Sequence, residues 1–325
     1  MKITILDDYQ NVIDKLSCFS LLEGHEVKIL HHTEKNTEKL SALIKETEIL
    51  VLTRERTEIS EDLLSKLPNL KLISQTGKIS NHLNLATCNK YKVAVAEGVG
   101  SPIAPAELTW LLMMNTVRKV PQAIDGMKKG QWQINIGSSI HGKTIGIWGY
   151  GKIGQKIAQY AKVFGANVLV WGSEASRNKA VEAGFQKAES KEYFFKNADI
   201  VTLHLRLNDA TFGIVAESDL INLKENAVLI NTARAELIAP NALLNVLKSG
   251  KKIFVGVDVY ENEPIYDTNY ELLNMDNVVC TPHLGYVEQN GYELYFRTAF
   301  ENIIHYINGD FSNIANPEVL EKIDE

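Results

Sequence analysis

The stretch that decides the fold is Thr144-Ile145-Gly146-Ile147-Trp148-Gly149-Tyr150-Gly151-Lys152-Ile153-Gly154-Gln155-Lys156-Ile157-Ala158. Its first five residues are mostly apolar or β-branched and predict a strand, and its last four open a helical pattern. Between them Gly149, Gly151 and Gly154 spell G-x-G-x-x-G. That pattern alone is weak, but a strand-turn-helix setting gives each glycine a task. The first permits a tight turn, the second lets backbone approach a pyrophosphate, and the third lets the helix sit close on the strand. The helix then offers unpaired N–H groups and the positive end of its dipole to phosphate. A turn that merely happens to be glycine-rich would leave this placement without a reason. The stretch is therefore read as a dinucleotide-binding βαβ unit.

Outward from the turn the same rhythm continues. A helix is predicted from about Gly151 to Phe164, with strands at Asn167–Trp171, Asp199–Leu205, Ala227–Asn231, Phe254–Val257 and Val278–Cys280. Upstream, strands are predicted at Lys2–Leu6, Glu26–Leu30, Ile49–Thr53, Lys71–Gln75 and Val93–Ala96. Helical stretches lie between them at Glu38–Lys45 and Ser60–Leu67, the second with Ser60 as N-cap and Pro68 as stop. A long helical pattern runs from Pro102 to Lys129, interrupted near Pro121, and a polar loop follows from Gly130 to Gly142. The tail is helical from about Glu288 to Ile307 and ends at Asn308-Gly309. Strands alternating with helices predict parallel sheets with crossover helices. With 325 residues, the chain suits about two such α/β domains.

Composition narrows the classes. A hydrophobic share of 45% and a charged share of 23% suit a globular chain with cores to bury and argue against wholesale disorder. Forty acidic against 34 basic side chains leave a net charge of −6, so no cationic field is expected to neutralise nucleic acid. The longest apolar runs, such as Leu108 to Met114 broken by Thr109, fall far short of the roughly 20 residues that cross a bilayer, and no membrane association is expected. Met1-Lys2 leads straight into Ile3-Thr4-Ile5-Leu6, leaving no room for a secretory segment. Cys18, Cys88 and Cys280 are too dispersed for a disulfide framework or a structural zinc site, so a cytoplasmic chain without a metal is expected.

One element of the dinucleotide pattern differs. An acidic residue usually ends the second strand to receive the ribose hydroxyls, but after Asn167–Trp171 that place holds Gly172. Ser173 and Glu174 follow, with Arg177 and Lys179 nearby. Glu174 as the carboxylate favours NAD, whereas Ser173 with Arg177 would suit the 2′-phosphate of NADP; the reading leans to NAD and leaves NADP open.

Three later strands end in chemistry. Arg234 follows Asn231-Thr232-Ala233; Asp258 and Glu263 follow Gly256-Val257; His283 follows Thr281-Pro282. Singly, each has an ordinary explanation: a surface charge, a loop carboxylate before a proline, a hydrogen-bonded structural histidine. Together they form complementary groups at successive strand ends, the edge at which open α/β sheets bind ligands. His31 and His32 have no such company and are read as structural.

These residues resemble the D-isomer-specific 2-hydroxyacid dehydrogenase family. Its signature reads here as Gly149–Gly154, Leu229-Ile230-Asn231-Thr232-Ala233-Arg234, Gly256–Val259 with Glu263-Pro264, and Pro282-His283-Leu284-Gly285. Order and spacing agree over nearly the whole chain. Ile5–Gln10, Thr53–Thr57 and His283–Val287 look like the phosphoglycerate-dehydrogenase-like branch.

The resemblance implies two Rossmann-like domains with parallel sheets. Residues 1–98 and 286–325 would form a discontinuous, flavodoxin-like substrate domain, and residues 99–285 an inserted NAD(P)-binding Rossmann domain. It implies hydride transfer between NAD(H), or NADP(H), and a small 2-hydroxy or 2-keto acid held between the domains. Arg234 would clamp the substrate carboxylate, His283 would act as acid and base, and Glu263 would orient it. Gly149, Gly151, Lys152, Ile153, Gly154, Ser173, Glu174, His204, Thr211, Thr232, Ala233, Asp258 and Gly285 would contact the cofactor. Thr76, Gly77, Lys78 and Ile79, with Arg54, would contact the substrate. The family's Gly-x-Gly-x-Asp loop is altered by Ile79 and Asn81, and Ala235 and Tyr286 also depart from its pattern. The segment 102–129 resembles the family's dimer-forming helix, which implies a homodimer.

Two alternatives accompany this reading. Within the enzyme class, a phosphoglycerate dehydrogenase would use Arg54, Arg56 and Lys78 against a phosphate; a formate dehydrogenase fits less well, because that subgroup has glutamine where Glu263 stands. From another class, a scaffold like the C-terminal-binding-protein corepressors would sense NADH with little turnover.

Overall fold

The computed structural model describes residues 1–322, so the last three residues of the expected segment 286–325 lie outside the described residues. The chain divides into two compact units, Met1–Ser101 with the segment from Glu288, and Pro102–Val287. The sequence reading put these divisions after residues 98 and 285.

The first unit is built on five parallel strands, β1 (Lys2–Ile5), β2 (Glu26–Ile29), β3 (Ile49–Leu52), β4 (Leu72–Gln75) and β5 (Ala94–Ala96), in the order β2-β1-β3-β4-β5. β3 reads Ile-Leu-Val-Leu with every side chain buried, as a strand covered on both faces requires. Helices α1 (Thr37–Ile44), α2 (Glu61–Ser65) and α3 (Leu85–Lys90) each begin at a polar cap: Asn36, Ser60 and Asn84 accept from the N–H groups of Lys39, Leu63 and Thr87. The C-terminal helix Gln289–Ile307 buries Phe296 and Phe300 in this unit, and Ser74 donates to the Ala299 carbonyl at 2.7 Å. Asp7 and Asp8, from the opening motif, act as internal fasteners. Thr33 and Thr57 donate to Asp7 at 2.5 and 2.7 Å, and Asp8 receives the Val12 N–H at 3.1 Å.

In the second unit the long helical pattern splits into α4 (Ile103–Arg118) and α5 (Val120–Lys128). The break falls at Lys119, in the left-handed region at φ 55°, with Pro121 in the first turn of α5, where its missing N–H costs nothing. Then follow β6 (Thr144–Trp148), α6 (Lys152–Val163), β7 (Asn167–Trp171), α7 (Glu174–Glu182), β8 (Gln186–Lys187), α8 (Lys191–Asn197), β9 (Ile200–Leu203), α9 (Glu217–Ile221), β10 (Val228–Asn231), α10 (Ala242–Lys248), β11 (Phe254–Val257) and β12 (Val278–Cys280). All seven strands are parallel, in the order β12-β11-β10-β9-β6-β7-β8. Sequence reading missed β8, two exposed residues at the sheet edge that carry no apolar alternation.

One face of this sheet is covered by a cluster around Phe194, Phe195, Leu229 and Val255, the other by Leu112, Met113, Ile157 and Ile230. Each fully buried side chain of this size contributes roughly 1.5–3 kcal/mol. The chain order reverses between β6 and β9, so the crevice beyond their carboxyl ends is the place this topology offers a ligand.

Candidate active site

The glycine turn sits at that reversal, at the end of β6. Gly149 holds φ +101°, and a Cβ there would stand 2.6 Å from the His204 carbonyl oxygen. A Cβ on Gly154 would meet the Gly149 carbonyl at 2.1 Å. Gly151 is different: a Cβ there would meet nothing within 4 Å, so this face is open space that a pyrophosphate can approach. Gly151 also caps α6 without a side-chain hydrogen bond, leaving the helix's first N–H groups for an anion. Lys152, exposed, and Ile153, half-buried, form the first turn. These features fit a dinucleotide.

At the end of β7, Gly172 occupies φ +149°, which L side chains rarely adopt, and so it excludes the usual acid on backbone grounds. Ser173 caps α7 by accepting from the Ser176 N–H at 3.3 Å, and Glu174 is exposed in the first turn. His204 lies at the end of β9, within 3.0 Å of the Thr202 hydroxyl, and burial pushes its pKa down from 6.5 to about 3.

Other expected cofactor groups turn out to be engaged by the chain itself. The Thr211 hydroxyl donates to the Arg206 carbonyl at 2.6 Å and accepts the Asn208 N–H at 2.8 Å, so it builds its own turn. Thr109 donates to the Pro105 carbonyl and meets the Thr232 hydroxyl at 2.6 Å, so the Thr232 proton points to Thr109. The Ala233 N–H goes to Asn231 Oδ1 at 3.1 Å.

β10, β11 and β12 are adjacent, and their last residues, Asn231, Val257 and Cys280, stand in register. Arg234, Glu263 and His283 leave this shared edge. Arg234 is half-buried, one guanidinium nitrogen donating to the Ala233 carbonyl at 2.6 Å. Glu263 and His283 meet directly, Nδ1 to Oε2 at 2.7 Å. The other Glu263 oxygen accepts the Tyr260 N–H at 2.9 Å, which holds the carboxylate in place. His283 is in the left-handed region at φ 52°, a costly conformation for a residue with a Cβ and one that clusters at functional sites. The Tyr286 ring lies edge-on to the imidazole at 5.7 Å.

Asp258 explains how this conformation is held. It is fully buried, and its carboxylate accepts from the Thr281 hydroxyl at 2.6 Å and from the N–H groups of Leu284 and Gly285 at 2.7 and 2.9 Å. Burial raises its pKa, opposed by the Thr281 bond, the His283 charge and the two amides. Both Asp258 and Gly285, expected at the cofactor, thus bond to each other across the loop that carries His283. Sequence reading quoted Thr281 without a role for it, and missed Ser176, which accepts the Tyr150 N–H at 2.8 Å. A serine one turn inside a helix carries no signal of such a contact.

The expected substrate loop belongs to the first unit. Thr76 is buried and donates to the Leu52 carbonyl at 2.8 Å while accepting the Arg54 N–H at 2.8 Å, so its hydroxyl ties β3 to the residue after β4. The Ile79 N–H and the Lys78 ammonium both go to Glu97, at 2.9 and 2.6 Å. The Ile79 amide is thus engaged within the loop, and the Gly77 and Lys78 amides remain the loop's candidates. Arg54, in the left-handed region at φ 56°, lies against Gly77, where a Cβ would meet its guanidinium, and over the Tyr295 ring at 5.6 Å.

A dinucleotide turn with charged and titratable groups along one sheet edge defines the class of nicotinamide-linked oxidoreductases. Residues 110–285 match the family model described as D-isomer specific 2-hydroxyacid dehydrogenase, NAD binding domain. The chain belongs to that family, and NAD is the cofactor its matched domain carries. It is 30% identical over 288 residues to the glyoxylate reductase of Thermococcus litoralis, covering 85% of this chain and 86% of that one. It is 32% identical over 300 residues to the D-3-phosphoglycerate dehydrogenase of Methanocaldococcus jannaschii, covering 91% of this chain but 56% of that one. The chain thus spans little more than half the length of that relative. A crystal structure titled phosphoglycerate oxidoreductase, from Vibrio cholerae O395, is 51% identical with a TM-score of 0.93, over 95% of this chain and 99% of that one.

Proposed function

We propose that the chain reduces a small 2-keto acid to the D-2-hydroxy acid, and runs the reverse oxidation. The observation that carries this reading is the 2.7 Å contact between His283 and Glu263, set beside Arg234 on three in-register strand ends. When bound, the nicotinamide cofactor supplies or accepts the hydride at the substrate carbon. The Gly149–Gly154 turn would hold its pyrophosphate.

Arg234 clamps the substrate carboxylate, for which a planar guanidinium suits better than an ammonium. With Nδ1 on Glu263, His283 presents Nε2, which gives a proton to the carbonyl oxygen in reduction and takes one from the hydroxyl in oxidation. Glu263 fixes the orientation of the ring. Each turnover in the reducing direction consumes one hydride and one proton.

The experiment is NADH and NADPH consumption against glyoxylate, hydroxypyruvate, pyruvate, 2-ketoisocaproate and phosphohydroxypyruvate. Turnover on unphosphorylated acids supports the reading. Turnover confined to phosphohydroxypyruvate supports the phosphoglycerate alternative, which the names of two relatives favour. Tight dinucleotide binding with no turnover on any acid would replace both with a binding function.

We also infer a homodimer through segment 102–129, in the cytoplasm. Leu111 on α4 and Ile124 and Met127 on α5 are exposed apolar side chains, as are Trp132, Ile134 and Ile136 just beyond. Apolar side chains concentrated along one stretch mark an association surface.

A further inference from the structure

Between β11 and β12 the chain makes an excursion, from Asp258 to Asn277, that contains neither strand nor α-helix. Between this excursion and the start of α10 lies an open cavity of about 570 Å³, a volume that suits a small organic molecule. Its floor is apolar: Ile238 and Val259 are buried, and Leu243, Leu244 and Leu272 are half-buried. Phe212, 56% exposed, adds an aromatic face that solvent reaches. Neither Arg234, Glu263, His283 nor the Gly149–Gly154 turn lines the cavity, so it is separate from the groups assigned to the reaction.

The charges around that floor are of one sign. Among the described residues Glu236, Glu261, Asp267 and Glu271 line the cavity, and no lysine, arginine or histidine does. Glu271 is paired with Lys248 from α10. Glu236, half-buried, and Glu261, exposed, make no ion pair or hydrogen bond through their carboxylates among the described residues. The half-buried Tyr270 phenol also has no hydrogen-bond partner there, and its ring is fixed edge-on to Tyr260 at 5.7 Å. Burial pushes the phenol up to about 12, and the Glu261 and Glu271 charges add to that rise, so both carboxylates act on the same space. The carboxylates do not converge as metal ligands do: among the described residues no group of three or more His, Cys, Asp and Glu side chains could hold a metal ion. Unpaired carboxylates over an apolar floor complement an extended molecule with a hydrocarbon body and one positive head, and they repel an anion.

We propose that this cavity is a second ligand site, which binds a small organic ammonium ion with its apolar body on the leucine floor and its charged head donating to Glu236 and Glu261. A primary ammonium carries three N–H donors, enough for both carboxylates and the Tyr270 oxygen. The site lies wholly in the second unit. Its wall at Val259, Glu261 and Asn262 runs on into Glu263, which gives an occupant contact with the segment that carries one member of the proposed acid–base pair.

The test uses the full chain and two probes of one shape, phenethylamine and 2-phenylethanol, with binding read by calorimetry at neutral pH. The amine is expected to bind about tenfold or more tightly than the alcohol, through charge-assisted contacts that weaken as salt is raised. The double variant Glu236→Gln with Glu261→Gln should remove most of that gap and leave the alcohol affinity unchanged, whereas Leu243→Trp, which fills the floor, should weaken both probes. Fluorine NMR of the chain carrying 3-fluorotyrosine locates the probe: the signal that Tyr270→Phe removes should move as the amine is added. Equal affinity for the two probes, a gap that survives the double variant, or a Tyr270 signal that stays still overturns the site, as does binding of neither probe. If the variants do not fold, the gap on the parent chain, its salt dependence and a tyrosine signal that moves with the amine but not the alcohol still decide. Every readout is binding, so the outcome stands apart from turnover on any 2-keto acid.

Discussion

The Asp258 carboxylate and the Thr281 hydroxyl meet at 2.6 Å, and this contact joins the end of β11 to the loop that carries His283. Two further bonds, from the Leu284 and Gly285 amides, complete the junction. A buried carboxylate with three donors is rigid because losing any of them leaves an uncompensated acceptor. The strained φ of His283 lies between these anchors, so the loop holds the imidazole against Glu263 without relying on the substrate.

Replacing Asp258 by Asn places an amide N–H₂ where one oxygen accepts hydrogen bonds. We expect a loss of about 1–3 kcal/mol, read as a lower urea midpoint. Thr281→Val removes one donor and should cost less. Activity should fall in both, more steeply in Asp258→Asn. An unchanged midpoint in Asp258→Asn would show that the junction does not stabilise the loop.

The catalytic assignments separate kinetically. Removing the proton donor in His283→Ala should lower kcat by about 10²–10⁴-fold, with a smaller effect on KM. Arg234→Ala should chiefly raise KM for the keto acid, because its contact forms in the ground state too. Glu263→Gln removes the carboxylate that receives the His283 ring and the Tyr260 N–H, and should lower kcat more than it changes KM. Both alanine variants matching the parent on its best substrate would refute the assignment.

Much of this arrangement was legible in the sequence because it depends on short-range rules. The glycine turn, the strand-end motifs and the Ser60 cap each occupy a few contiguous residues with a fixed geometric demand. Contacts made by folding were not. Glu97 sits 18 residues from Ile79 yet takes its amide, and Thr76 reads as a loop residue although β3 claims its hydroxyl. β8 failed for another reason: two exposed residues are too few for periodicity to show. The Pro121 signal placed the helix break to within two residues, since proline constrains the backbone before any tertiary contact forms.

The association surface predicts a change in mass. Met127 is 66% and Leu111 56% exposed, so a charge at either position should leave the fold of the single chain intact. Light scattering on the parent chain should give twice the monomer mass. The double variant Leu111→Glu with Met127→Glu should shift it toward one copy, with far-UV circular dichroism unchanged. A monomeric parent chain would end the inference.

His204 makes a pH prediction whose sign follows from its environment. Burial lowers its pKa from 6.5 to about 3, so between those values the unfolded chain binds a proton that the folded chain does not. Stability from this residue is therefore complete above about pH 6.5 and is lost as pH falls toward 3, with a slope of up to about 1.4 kcal/mol per pH unit. The ring signals should stay at neutral-form NMR shifts down to about pH 5, while an exposed histidine titrates near 6.5. His204→Gln should flatten the fall of the urea midpoint across this window. A ring that protonates near 6.5 would show that burial does not lower its pKa, and the loss of stability on acidification would then have another source.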